Sequence, residues 1–148
     1  MIDTIKALIH QNDLCVLATT GDGGPHTSLM AYSYSSDCSE IYLVTSRETQ
    51  KYRNICRTPQ VSLMVDTRNK DDRPNICALT ISGSAIEMGH AEKVEGVRRQ
   101  MLARHPQLSG LIDQPDLAWI CVRVNAFQLL DGVNRSYHVR MTEAGKQL

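Results

Sequence analysis

Residues 41–66 read IYLVTSRETQKYRNICRTPQVSLMVD, and the punctuation of this stretch decides the architecture. Residues 40–45 form an apolar run rich in strand formers. Thr45 and Glu48 then stand at the T-x-x-E spacing of a capping box, which opens a helix. The spacing predicts a helix running to about Arg57 and stopping before Pro59, whose ring cannot continue it. Residues 60–66 return to strand character. A helix that begins where a strand ends presents unpaired N–H groups and the positive end of its dipole, a natural anion site. Thr45, Ser46 and Thr49 add hydroxyl donors, and Arg47 and Lys51, four apart, share one helical face. Two readings stand at this point. One is a phosphate site with Lys51 reaching back toward the helix start. The other, commoner for such a stretch, is a capped and solvated basic helix with Glu48 on the amides.

Outward from this core the same punctuation continues. Residues 14–35 read as a hairpin, with Gly21-Asp22-Gly23-Gly24-Pro25 as a loop of about five residues. Within the returning strand, Thr27, Ser28, Leu29 and Met30 offer backbone edges and a soft apolar wall suited to a flat ring, although a plain half-buried strand has the same pattern. Residues 76–88 read as a long strand with Gly83 at a bulge or a close backbone approach. Residues 117–130 read as another, with Ile120, Val122, Val124 and Ala126 on one face. Apolar residues at helical spacing place helices near 2–10 and 91–102. The tail from Asp131 is polar and weakly patterned. These elements predict an α+β fold, an antiparallel six-stranded split barrel with flanking helices, because small antiparallel sheets close up to remove their edges. One domain is expected over residues 1–148, with its core at about 5–132.

Composition narrows the function. The 148 residues carry 16 basic and 16 acidic side chains, a formal net charge of zero that gives no global reason to bind nucleic acid or an anionic membrane. No apolar run approaches a membrane span, and the N-terminus lacks the pattern of a signal peptide. Five cysteines at 15, 38, 56, 77 and 121 are odd in number and include no CxxC pair, which argues against a disulfide framework and a zinc site. The expected compartment is the cytoplasm. The five histidines are scattered, no metal set is expected, and no GxGxxG, P-loop or GxSxG motif is present. No catalytic residue is identified.

The order of segments resembles the pyridoxamine 5'-phosphate oxidase-like family of FMN-binding split barrels. The resemblance lies in LCVLATTGDGGPHTSLMAY, in residues 41–66, in LTISGSAIEM and in WICVRVNAFQLLDG, and above all in T-S-x(4)-K followed by N-I-x(3)-P-x-V-S-L. It implies a homodimer with FMN at the subunit interface. It also implies that the strand of Thr27, Ser28, Leu29 and Met30 runs beside the isoalloxazine ring, and that Thr45, Ser46, Gln50 and Lys51 lie at the FMN phosphate. The expected activity is hydride or electron transfer through FMN, with NAD(P)H or a small molecule as reductant.

Three departures separate the chain from the vitamin oxidases of that family, which carry basic residues where this sequence has Ser28, Ser33 and Gln50. The family's basic C-terminal substrate-binding end is not recognisable in residues 134–138 either. The sequence is therefore closer to the general-stress and flavin-reductase-like branch. Alternatives on the same fold are a non-catalytic flavin or electron store, a haem protein with His26 or His138 as axial ligand, and a deazaflavin protein.

Overall fold

A computed structural model describes residues 1–68 and 71–141. Its strands are β1 (Leu14–Gly21), β2 (Gly24–Ala31), β3 (Ser33–Tyr34), β4 (Glu40–Ser46), β5 (Gln60–Asp66), β6 (Cys77–Glu87), β7 (Leu117–Asp131) and β8 (Arg135–Arg140). The helices are α1 (Ile2–Gln11), α2 (Gln50–Arg57), α3 (Ala91–Arg104) and the short α4 (Ser109–Ile112). All strand pairs are antiparallel, in the order β2-β1-β5-β6-β7-β4-β3, with β8 also on β7. The two ends of that order, β2 and β3, are consecutive in the chain and separated only by Tyr32. A flat sheet cannot satisfy this connection, so the sheet curls until its edges approach. The result is the split barrel, with eight strands where the sequence pattern predicted six.

The joint at Tyr32 is pinned. Its ring is buried, and its hydroxyl donates to the carbonyls of Ile9 (2.6 Å) and Asn12 (2.7 Å) at the end of α1. Its own carbonyl lies 2.7 Å from His105 Nε2, and the Arg104 guanidinium stacks on Tyr34 and Tyr32. Arg104 also donates to the Ile9 carbonyl at 3.2 Å, so the C-terminal carbonyls of α1 are satisfied from two sides.

The barrel interior holds Leu17, Leu43, Leu63, Leu79, Ile81, Ile120 and Phe127. A second cluster packs α3 and α4 against the outer side of β4 and β7 through Tyr42, Val44, Trp119, Val97 and Met101. β4 is therefore buried on both faces, which is why its sequence is a continuous apolar run rather than an alternating one.

The hairpin turn is two residues, Asp22 and Gly23, rather than five, because Gly21 pairs directly with Gly24. Pro25 is tolerated in β2 because β2 is an edge strand. The irregularity predicted at Gly83 divides into two features. Ser82 pairs with Ala126 and Gly83 with Val124, so the extra residue is Asn125 on β7. Gly83 supplies the close approach: a Cβ there would overlap the Arg123 carbonyl oxygen. The bulge also reverses the phase of β7. Ile120, Val122 and Val124 face the core as expected, but beyond Asn125 the inward residues are Phe127 and Leu129 rather than Ala126. The polar tail contains β8, which the sequence did not predict. Only Tyr137 and Val139 of β8 pack on the core side.

Candidate functional site

At the junction of β4 and α2 the helix begins at Gln50, not at the predicted capping box. Thr49 is the N-cap, and its Oγ1 accepts the Tyr52 N–H at 3.3 Å. Thr45 is 5% exposed and its hydroxyl lies 3.1 Å from that of Thr49, so both belong to the cap. Ser46 Oγ accepts the Glu48 N–H at 3.2 Å, which leaves the Ser46 hydroxyl proton available to a ligand. Among the described residues, the N–H groups of Gln50 and Lys51 have no hydrogen-bond partner. The Lys51 side chain forms no ion pair or hydrogen bond among the described residues and is half-buried.

Arg47, predicted to share the cationic face with Lys51, is committed elsewhere. It donates to Glu87 at the end of β6, with Nη2 2.9 Å and Nε 3.3 Å from the two carboxylate oxygens, and reaches Asp116 at 3.4 Å. The Tyr52 hydroxyl adds a 2.8 Å bond to the same carboxylate. The Arg47 hydrogen bond, with help from Tyr52, holds Glu87 below the ordinary carboxylate range. The bond to Glu87 and the neighbouring Cys56 push the Tyr52 phenol up to about 12. Through Tyr52 this bracket ties α2 to the end of β6, and through Arg47 it ties the turn before α2 to the same carboxylate and to Asp116, just before β7.

A second connection ties α2 to the β1–β2 hairpin. Asn54, 3% exposed, donates from Nδ2 to Thr19 Oγ1 at 3.0 Å and accepts from Gln50 Nε2 at 2.7 Å. Thr19 pairs across the hairpin with His26, next to Thr27. Through Thr19 and Asn54, α2 is thus tied to the hairpin end of β2 beside Thr27, while Leu29 and Met30 lie further along that strand, opposite Val16 and Cys15. Gln50 is turned toward its own helix, with its carbonyl oxygen accepting from Arg53 at 3.2 Å. On β2, Thr27 and Leu29 face outward, Met30 faces the core, and Ser28 is half-buried opposite Leu17.

Sequence reasoning assigned no role to Glu87, Tyr52 or Thr19, and took Asn54 only as part of the N-I-x(3)-P motif. Glu87 lies 40 residues from Arg47, and no local pattern reports such a pairing. Asn54 did give a signal, as a polar residue beside Ile55 where the helix turns inward.

The curled sheet, the helix set on the end of β4 and the neighbouring hairpin match a known family model: the pyridoxamine 5'-phosphate oxidase model covers residues 1–131. The chain belongs to that family. Similar solved structures include a haem-binding protein from Mycobacterium smegmatis, with a TM-score of 0.81 at 19% identity. That match covers 94% of this chain but 57% of the mycobacterial one, so the present chain spans little more than half of its length. An FAD-binding protein from Mesorhizobium loti superposes with a TM-score of 0.72 at 16% identity, covering 87% of this chain and 91% of that one. The haem storage protein HutZ of Vibrio cholerae gives 0.69 at 20% identity, with coverage of 91% and 92%. At these identities the likeness is one of fold. No curated protein matches the chain.

Three further placements bear on ligand choice within this pyridoxamine 5'-phosphate oxidase relative. Ser33, where the vitamin oxidases carry a cation, is fully buried with its hydroxyl unpartnered among the described residues. His26 has a buried Nδ1 without a partner there, whereas His138 is exposed on β8. Arg135 and Arg140 also lie on β8, and four strands separate them from β2 along the sheet. Among the described residues no three His, Cys, Asp or Glu side chains form a metal set, and no helix is long and apolar enough to cross a membrane.

Proposed function

We propose that this family member binds FMN and acts as an FMN-dependent oxidoreductase. The carrying observation is the division of cations at the β4–α2 junction. Arg47 is spent on Glu87 and Asp116, while Lys51, the Ser46 hydroxyl and the two open N–H groups of α2 are unspent. These donors fit a phosphate monoester, for which charge-assisted hydrogen bonds and a helix start are well suited. Thr27–Met30 on the adjoining hairpin then supply the edge along which the ring lies, with Leu29 as apolar contact. FMN supplies hydride acceptance at its N5 when bound, and the chain's task is binding and orientation. The reductant is NAD(P)H or a small molecule.

The reading includes a homodimer. The inner faces of β6 and β7 are covered by the barrel core, and α3 and α4 cover part of the outer side of β7. Exposed apolar residues remain on β6 and β7, where Ile86 and Leu130 are 62% and 42% exposed, and others sit on β1, β2 and β5. Leu14, Leu29 and Met64 are 47%, 68% and 37% exposed around a groove of about 420 Å³. Sedimentation as a monomer at micromolar concentration would exclude this pairing. The five free cysteines fit a reducing, cytoplasmic compartment.

The test of the cofactor is the absorbance spectrum of the purified protein, with release and identification of the chromophore. Flavin bands that bleach with NADH support the oxidoreductase. Flavin bands without bleaching leave a flavin store. A Soret band would replace the reading with haem, for which half-buried His26 is the better placed histidine.

A further inference from the structure

We propose that Asn54 is a positioning residue that keeps the phosphate donors at a fixed distance from the strand that carries the flavin ring; this rests on the FMN reading above. A buried amide is costly unless both of its ends are paired. Asn54 meets that condition with partners drawn from opposite sides: Thr19 on β1 and Gln50 at the first position of α2. Thr19 is itself only 2% exposed. The end of β1 is shaped around this amide. A Cβ on Gly21 would overlap Asn54 Oδ1 and stand 2.9 Å from its Cγ, so Gly21 leaves the room that Asn54 occupies.

The connection runs in one direction through the proposed site. β2 pairs with β1 at His26–Thr19, Thr19 holds Asn54, and Asn54 holds the turn of α2 that carries Gln50 and Lys51. The Arg47–Glu87–Tyr52 bracket fixes the other side of the helix to β6. Without Asn54 that bracket remains, so α2 stays folded but loses its register to β1 and β2. A flavin mononucleotide joins ring and phosphate by a chain of fixed reach. Its affinity therefore depends on the spacing of the two groups. Riboflavin, anchored by its ring alone, does not feel that spacing. A residue that merely fills space would weaken both ligands together.

The experiment titrates the full-length apoprotein with FMN and with riboflavin, following flavin fluorescence, in the parent and in Asn54→Ala, Thr19→Val and Thr19→Ser. The parent is expected to prefer FMN by about ten-fold or more, the value of one charged phosphate contact. Asn54→Ala and Thr19→Val should each cut that preference by about five-fold or more, with riboflavin affinity held within about two-fold, as expected when two binding groups lose their mutual placement. Thr19→Ser keeps the hydroxyl and should keep the preference. If Asn54→Ala does not fold, the near-isosteric Thr19→Val decides. Equal weakening of FMN and riboflavin, or a preference that survives in the variants, overturns the positioning role while leaving the FMN reading intact. A parent that takes up neither flavin overturns both.

Discussion

Replacing Gly83 with Ala should destabilise the protein sharply, and the size follows from what surrounds the position. An added Cβ would overlap the Arg123 carbonyl oxygen and lie 2.8 Å from Val122 Cγ1. The first neighbour is backbone, held in the β6–β7 ladder, and the second belongs to a fully buried side chain. Neither can swing away as an exposed side chain would. Overpacking of this kind costs about 1–3 kcal/mol. Separating the strands enough to relieve it weakens one or two ladder hydrogen bonds, at about 1 kcal/mol each. The expected loss is thus about 2–5 kcal/mol, a fall in Tm of roughly 4–20 °C for a chain of this size. Gly96→Ala is the control. Gly96 lies inside α3 with open space where a Cβ would go, so it should gain about 0.5–1 kcal/mol from helix propensity. Thermal unfolding followed by circular dichroism measures both. A Gly83→Ala protein melting within a degree or so of the parent would refute the reading of the close approach, and so would shifts of the same sign in both variants.

Lys51→Ala should weaken FMN binding about ten- to hundred-fold, whereas Arg47→Ala should change it by less than about three-fold, because Lys51 is the uncommitted cation; fluorescence titration of both variants decides. Pyridoxamine and pyridoxine phosphates should not be turned over, since Ser28, Ser33 and Gln50 supply no cation and Ser33 is closed over. Sustained pyridoxal phosphate formation at about one per second or faster would contradict this. Glu87 has a depressed pKa in the folded chain, so its contribution to stability is present above the ordinary carboxylate pKa of about 4.3 and is lost as the pH falls through the folded value. Glu87→Gln should therefore melt below the parent at neutral pH, with the gap closing in acid. A gap of constant size from neutral pH to pH ~3 would sink the assignment.

The strands and helices of residues 14–131 were readable because their signals are local: apolar runs, turn dipeptides and the proline after α2. The number of strands was not. β3 is two residues long, and β8 offers only Tyr137 and Val139 to the core, too few to stand out from a polar tail. The face of β7 beyond Asn125 was misread because a bulge leaves no compositional mark, yet moves every later side chain to the opposite face. At the candidate site, the Thr45–Lys51 segment was visible as a group. The fate of each member was not, since whether Arg47 or Lys51 stays free depends on Glu87, 40 residues away.

The bulge at Asn125 lets a single edge of β7 serve two partners in succession. β4 covers it up to Arg123 and β8 takes over from Ala126, while β6 lines the other side from Ile120 to Asp131. The two covers differ in strength. β4 is buried on both faces and locked by the second core cluster, whereas β8 is a short hairpin arm reached through Gly132. Local opening should therefore begin at β8 and stop at the bulge. In deuterium exchange, amides on the β8-facing edge of β7 should label well before those facing β4, dividing one continuous strand into a labile half and a protected half.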